Sequence, residues 1–410
     1  MSRPFPFPED ASSPPRPFEL SLDAGFLDMT LRKVRDYRPT QSLSDEWTME
    51  GPPTATMTRL AAYWANEYDW RAVERSINER FAHYAVTVDP LESSSYKAPI
   101  PLHFIHEKCK SPSSSESGTI PLLLLHGWPS TSLEWSKVIG PLAEKFHVVA
   151  PDLPGFGFSP APSRPGMGPL EMGRAFHVLM TEHLGYERYG VVSTDLGWLV
   201  GMWMAAEYGP TSDGGGAIVG HMSDFFLGQP TPEDTARLEA GQASEEETRH
   251  VAATKAWFDS HWAYATTHGQ KPLALSLALG DSPVGFLGWC MDVNHATSDG
   301  YVYGDEELVT DAMMLWIPGP YAGIRTYREF FQPDKMNFPQ SQVPTGLSEW
   351  GWGKGPFASV SDFAFVPEEW VRRTVNLKYF RRHESGGHFP AVKCPEEWKR
   401  DVCNFFESLS

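Results

Sequence analysis

Between Tyr189 and Pro210 the chain passes from a short apolar run, Tyr189 to Thr194, through a single carboxylate, Asp195, into a longer apolar segment, Leu196 to Tyr208. The first run has the length of a buried strand and the second that of a helix, which Gly209-Pro210 terminates. Strand–turn–helix units of this kind build parallel sheets, so the chain is read as α/β. The turn between the two is tight and flanked by small residues, which pushes one side chain outward in the manner of a nucleophile elbow. A serine there would have to be deprotonated before attacking. Asp195 is already an anion at neutral pH and can attack a saturated carbon directly, leaving an alkyl ester that water later cleaves. The same aspartate would also suit the cap of the following helix, and the rest of the sequence decides between the two roles.

A second motif favours chemistry. Leu122-Leu123-Leu124-Leu125 reads as a strand buried on both faces, and His126-Gly127-Trp128-Pro129 as a tight turn in which Pro129 restricts Trp128. In hydrolases of this architecture such a loop gives one backbone N–H to an oxyanion hole, and the residue after the nucleophile gives the other. Here these are the amides of Trp128 and Leu196. His147 to Pro151 then forms another short strand, running into the glycine-rich loop Asp152 to Ser159.

Taken in this order, the motifs resemble those of epoxide hydrolases of the microsomal type, including their soluble fungal and bacterial relatives. The resemblance rests on His126 to Pro129, Leu153 to Ser159 and Gly386-Gly387-His388-Phe389. Tyr63-Trp64, Tyr68-Asp69-Trp70-Arg71, Glu74 and Asn78 resemble that family's N-terminal meander. Lys271-Pro272 and Asp281 to Gly285 resemble its lid. The likeness runs from about residue 20 to the end. It implies an α/β-hydrolase fold with a mostly parallel central sheet, a mainly helical lid insertion and an N-terminal meander. The expected division is residues 1–100 for arm and meander, 101–222 and 344–410 for the core, and 223–343 for the lid.

The remaining parts follow by role. Hydrolysing the ester needs a general base, for which histidine suits neutral pH. His388 follows a predicted strand, Asn376 to Arg382, and comes last in the chain order nucleophile, acid, histidine. His383 is second choice. Asp362, at the family's distance before Val366-Pro367, is the expected orienting acid. Glu368 and Glu369 read instead as first-turn residues of a helix. The resemblance also implies two lid tyrosines, Tyr264 and Tyr327, donating to the epoxide oxygen. Two departures bear on the substrate. The family's Gly-Gly-Asp-Trp-Gly is replaced by Ser193-Thr194-Asp195-Leu196-Gly197, and Pro390 to Cys394 also differs. Both leave the hydrolysis of an epoxide to a vicinal diol intact. They suggest a larger or differently shaped epoxide, and keep open a biosynthetic cyclase in which a substrate hydroxyl opens the ring.

Composition limits the alternatives. The 410 residues, 41% of them hydrophobic, suffice for a core with additions. A net charge of −18 argues against nucleic-acid binding. No apolar stretch approaches the roughly 18 residues of a membrane span, and the N-terminus has no leader pattern. The expectation is a cytoplasmic protein without a membrane anchor. Cys109, Cys290, Cys394 and Cys403 lack metal-ligand spacing and are expected to be free thiols. The chemistry requires no metal or organic cofactor, and the expected partner is a small-molecule epoxide, with a homodimer left open. Residues 1–19 read as a proline-rich arm, mobile or strapped down, Ser111 to Gly118 as a flexible loop, and Gln229 to Glu247 as a solvated region.

Overall fold

The computed structural model describes residues 3–8, 14–44, 46–47, 50–90, 94–110, 119–210 and 215–409. The Ser111 to Gly118 loop and most of the loop before the 218 strand lie outside the described residues.

Nine strands form one sheet: β1 (Arg16–Pro17), β2 (His83–Val88), β3 (Ile100–Glu107), β4 (Pro121–Leu125), β5 (His147–Pro151), β6 (Tyr189–Ser193), β7 (Ile218–Ser223), β8 (Pro344–Trp350) and β9 (Asn376–His383). Their order is β1-β2-β3-β5-β4-β6-β7-β8-β9. The first three are joined antiparallel, and the strands from β5 onward run parallel. The leucine strand β4 is buried at every position because both sheet faces are covered. It lies between β5 and β6, where the strand order reverses, and sites gather at the carboxyl ends of strands flanking such a point. The predicted strands agree to within two residues at each end.

The sheet begins inside the segment assigned to the meander, since β1 and β2 extend its antiparallel edge. The meander motif explains itself once its partners are seen. Glu74 accepts from the amide of Leu22 at 2.8 Å and from Trp70 Nε1 at 2.9 Å, while Arg71 bonds both Glu74 and the Leu22 carbonyl. Asn78 pairs with both backbone groups of Leu20 at 2.9 Å. The Trp70–Arg80 helix thereby holds an extended strap whose backbone groups would otherwise lack partners. The arm is strapped down: Phe5 and Phe7 are buried, and Phe5 packs 5.0 Å from Phe158.

The helix that opens at Pro169 is α-helical over Pro169–Val178 and closes with a wider π turn, Leu179–His183. The lid is helical, with Thr231 and Ser244 forming capping boxes and Pro232, Pro272, Pro283 and Pro320 occupying first-turn positions. Its start, Gln229 to Glu247, is mostly exposed, as expected, with two exceptions. Asp234 and Glu247 are buried, both paired with Arg237, and Arg373 adds a second cation to Asp234. Buried carboxylates need such partners. All four cysteines are free. Among the described residues, no helix is long and apolar enough to cross a membrane, and no acidic, histidine and cysteine cluster could hold a metal.

Candidate active site

Asp195 opens the helix Asp195–Tyr208 with φ at +44°, directly after β6. This left-handed conformation costs an L-residue roughly 1–2 kcal/mol, least for aspartate and asparagine. The cost is sustained by packing on every side: Ser193, Thr194, Leu196 and Gly197 are all buried. Two glycines make the approach possible. A Cβ on Gly197 would lie 2.2 Å from the Leu125 carbonyl oxygen, so only glycine lets the elbow sit against β4. A Cβ on Gly127 would lie 2.1 Å from Asp195 Oδ1. Gly127→Ala is therefore expected to displace the carboxylate and lower kcat by about 10²-fold, the scale of a 1 Å misplacement. Steady-state kinetics beside a melting curve check this, and unchanged kcat would refute the tight fit.

The Trp128 amide donates to Asp195 Oδ1 at 2.8 Å. Leu196 lines the same pocket, and its amide belongs to the first helical turn, where N–H groups have no intrahelical acceptor. Among the described residues only the Trp128 amide is hydrogen-bonded to the carboxylate, so one of the two expected donors is engaged. On the other side His388 Nε2 stands 3.4 Å from Asp195 Oδ2. The His388 loop is anchored by its own amide, which donates to the Thr297 carbonyl at 2.9 Å. Both functional side chains keep slight exposure, 10% for His388 and 14% for Asp195, and both face the pocket.

Tyr264 and Tyr327 close the pocket from the lid. Tyr264 stacks on Trp128 at 5.1 Å, and Tyr327 meets it edge-on at 5.8 Å. Burial holds both phenols above their usual ionisation range, and the charge of Asp195 adds to the effect. They therefore remain O–H donors through any ordinary pH. His268, which the sequence reading did not single out, wedges against both rings at 5.6 and 4.9 Å. Burial lowers its pKa to about 3, so it is neutral, and its Nε2 accepts from Trp289 at 2.9 Å. The rest of the wall is mainly aromatic, with Phe225, Trp257, Trp262, Phe331, Trp352 and Phe363 joined by Leu199, Leu227, Val293 and Thr297.

The structure does not bring Asp362 to His388. No hydrogen bond or ion pair joins them among the described residues, and Asp362 lines a separate cavity with Glu246, Arg249, Arg382 and His383. The chain turns there so that its neighbour Phe363, not Asp362, faces the pocket. Glu368 is an exposed partner of Arg372, as a first-turn carboxylate should be. His383 is committed elsewhere, stacked on Trp350 at 3.7 Å with Nε2 2.5 Å from Asp401. A carboxylate that sequence reasoning did not consider, Asp224, interacts electrostatically with His388. Its position is the one directly after the observed strand β7, Ile218–Ser223.

Two other buried pairs shape the loops. His103 Nδ1 lies 2.8 Å from Asp152 Oδ2, and Asp152 accepts from the amides of Ser132 and Phe158 at 2.9 Å each. One carboxylate thus ties the loop after β4 to the loop after β5. Ser193 Oγ and His221 Nε2, 2.7 Å apart, couple β6 to β7 beneath the elbow.

A parallel sheet with a carboxylate elbow, a backbone donor aimed at it and a histidine in reach defines an α/β-hydrolase-fold enzyme. The α/β hydrolase fold model matches residues 120–258, and the epoxide hydrolase N-terminus model matches residues 15–135. The chain belongs to the α/β-hydrolase-fold epoxide hydrolases that carry this N-terminal domain. Epoxide hydrolase 1 of Sus scrofa is 26% identical over 433 residues, spanning 96% of this chain and 89% of that one. The structure of Aspergillus niger epoxide hydrolase matches at 25% identity and a TM-score of 0.78, covering both chains fully. The juvenile hormone epoxide hydrolase of Bombyx mori shares the fold, with a TM-score of 0.78 at 24% identity over 98% of this chain and 94% of that one.

Proposed function

We propose that this protein hydrolyses an apolar epoxide to a vicinal diol in two half-reactions, with no metal or organic cofactor. Asp195 Oδ2 attacks an epoxide carbon as Tyr264 and Tyr327 donate to the ring oxygen. The C–O bond breaks, a hydroxyalkyl ester forms, and the oxygen takes up a proton. His388 then removes a proton from water, which adds to the ester carbonyl. The amides of Trp128 and Leu196 hold the resulting oxyanion, and collapse releases the diol and restores the carboxylate. The observation that carries this reading is the Asp195 carboxylate held between the Trp128 amide and His388. The aromatic wall supports a bulky hydrocarbon or aryl substituent, since apolar pockets select by buried area and shape. Leu196 after the nucleophile, in place of the family's tryptophan, leaves more room on the pocket floor.

The test is a panel of aryl, alkyl and terpenoid epoxides turned over in ¹⁸O-water. In a single turnover the diol should carry unlabelled oxygen from Asp195, with the label left in the protein. Label in the first-turnover diol would refute the ester. Consumption of epoxide to a product isomeric with it, with no oxygen atom added from any source, would assign the chain to ring-closing chemistry instead. Replacing either tyrosine by phenylalanine removes one donor, and each substitution is expected to slow ester formation by about 10- to 10²-fold, with the double substitution larger. Stopped-flow measurement of the alkylation step checks this, and a pair of silent substitutions would remove the tyrosines from the mechanism.

A further inference from the structure

We propose that Asp224 is the carboxylate that orients His388, in place of an acid carried later in the chain. This rests on the ester mechanism proposed above, in which His388 serves as base.

The placement follows from strand register. β6 and β7 run parallel with Ser193 opposite Ser223. Asp195 and Asp224 therefore emerge side by side at the same edge of the sheet, one from each strand. The link is fixed: Ser223 Oγ donates to the Ser193 carbonyl at 2.8 Å. The next residue, Phe225, sets its ring edge-on against His388 with centroids 5.4 Å apart. Asp224 is thus bracketed by Thr194, which precedes the nucleophile, and by a ring that touches the base.

Its two oxygens have different situations. Oδ2 accepts from Trp398 Nε1 at 2.6 Å, and Trp398 is itself buried against Trp135 at 5.3 Å. Oδ1 is shielded from solvent and forms no hydrogen bond in the resting geometry, although the likewise unpaired Thr194 hydroxyl interacts with the carboxylate. A shielded carboxylate oxygen without a partner is costly unless something answers it. His388 is in the complementary condition. Its Nε2 faces Asp195, and no hydrogen bond to its other ring nitrogen is present among the described residues. Burial pushes the Asp224 carboxyl up to about 6, opposed by the neighbouring Thr194 and Trp398 side chains and by His388. At neutral pH it remains mostly anionic, as a partner for an imidazolium must. Catalytic hydrogen bonds are commonly long in an empty site and shorten as the reaction proceeds. Asp362, turned toward a different cavity, cannot fill this role from where it stands.

An orienting carboxylate accepts from Nδ1–H, which leaves Nε2 free to take the proton from water. Asp224→Asn keeps the volume but presents an N–H₂ where an acceptor is needed, favouring the wrong tautomer. The experiment is single-turnover kinetics on the full-length chain with styrene oxide, or the best member of the epoxide panel, separating ester formation from ester release. Asp224→Asn is expected to form the ester at close to the wild-type rate and release it about 10²- to 10⁴-fold more slowly. The ester then accumulates as a protein mass increase of one substrate. A merely structural role would slow both steps together. Trp398→Phe, which removes the N–H on Oδ2 along with part of the indole's volume, offers a second variant should Asp224→Asn fold poorly, with ester release slowed several-fold and formation kept. The proposal is overturned if both variants release ester at the wild-type rate, or if the ester accumulates in Asp362→Asn instead. Failure of the ester mechanism itself would show separately, as turnover retained by Asp195→Ala.

Discussion

Asp195→Ala should abolish turnover, lowering kcat by at least ~10⁴-fold, because among the described residues Asp195 is the one carboxylate that lines the pocket. Removing the carboxylate also leaves the Trp128 amide without its acceptor. That amide lines a pocket open to water, which can replace the lost partner. The left-handed backbone at residue 195 costs alanine somewhat more than aspartate, by about 1 kcal/mol. The expected fall in melting temperature is no more than a few degrees for a chain of this length. Folding and catalysis are therefore separable at this position. Activity measured beside a melting curve decides the matter: a folded variant that still yields diol would end the nucleophile assignment.

His388→Gln should produce a different failure. Glutamine approximates the shape of the imidazole but cannot accept a proton at neutral pH, so ring opening proceeds while ester hydrolysis slows by about 10²- to 10⁴-fold. One equivalent of epoxide is consumed in a burst, and the protein gains the mass of one substrate. Digestion should place that mass on the peptide containing Asp195. A variant that turns over steadily without accumulating ester would transfer the base function to another group. The pairing of these two results tests chemistry instead of stability: one variant never acquires the substrate mass, and the other cannot lose it.

The elements carrying these two residues were legible in the sequence because their signals are local. A four-leucine run, a glycine–tryptophan–proline turn and an acid between a strand and a helix each declare themselves within a few residues. β6 and β9 lie within one residue of their predicted ends for the same reason. Tyr264 and Tyr327 were named through family resemblance, and only packing put their rings 5.8 Å apart over the nucleophile. The sequence left the arm either mobile or strapped down, and only distant contacts decide between the two. Phe5 depends on Phe158, and Leu22 on Glu74 fifty-two positions away.

The sequence by itself determined the strand–carboxylate–helix elbow, the loop carrying Trp128 and the late histidine, since apolar runs and tight turns are signalled by residues close together in the chain. The tertiary structure decided which acid stands beside that histidine. Asp362 and Asp224 are equivalent as letters and both fit the chain order, and the family's spacing before Val366-Pro367 favoured the former. Which one reaches His388 depends on strand register and on the direction a side chain leaves its backbone. A turn near 362 aims Phe363 inward, whereas the pairing of β6 with β7 delivers Asp224 next to the nucleophile, where Trp398, 174 residues away, holds it. Contacts at such separations are fixed by the assembled core, and no local pattern encodes them.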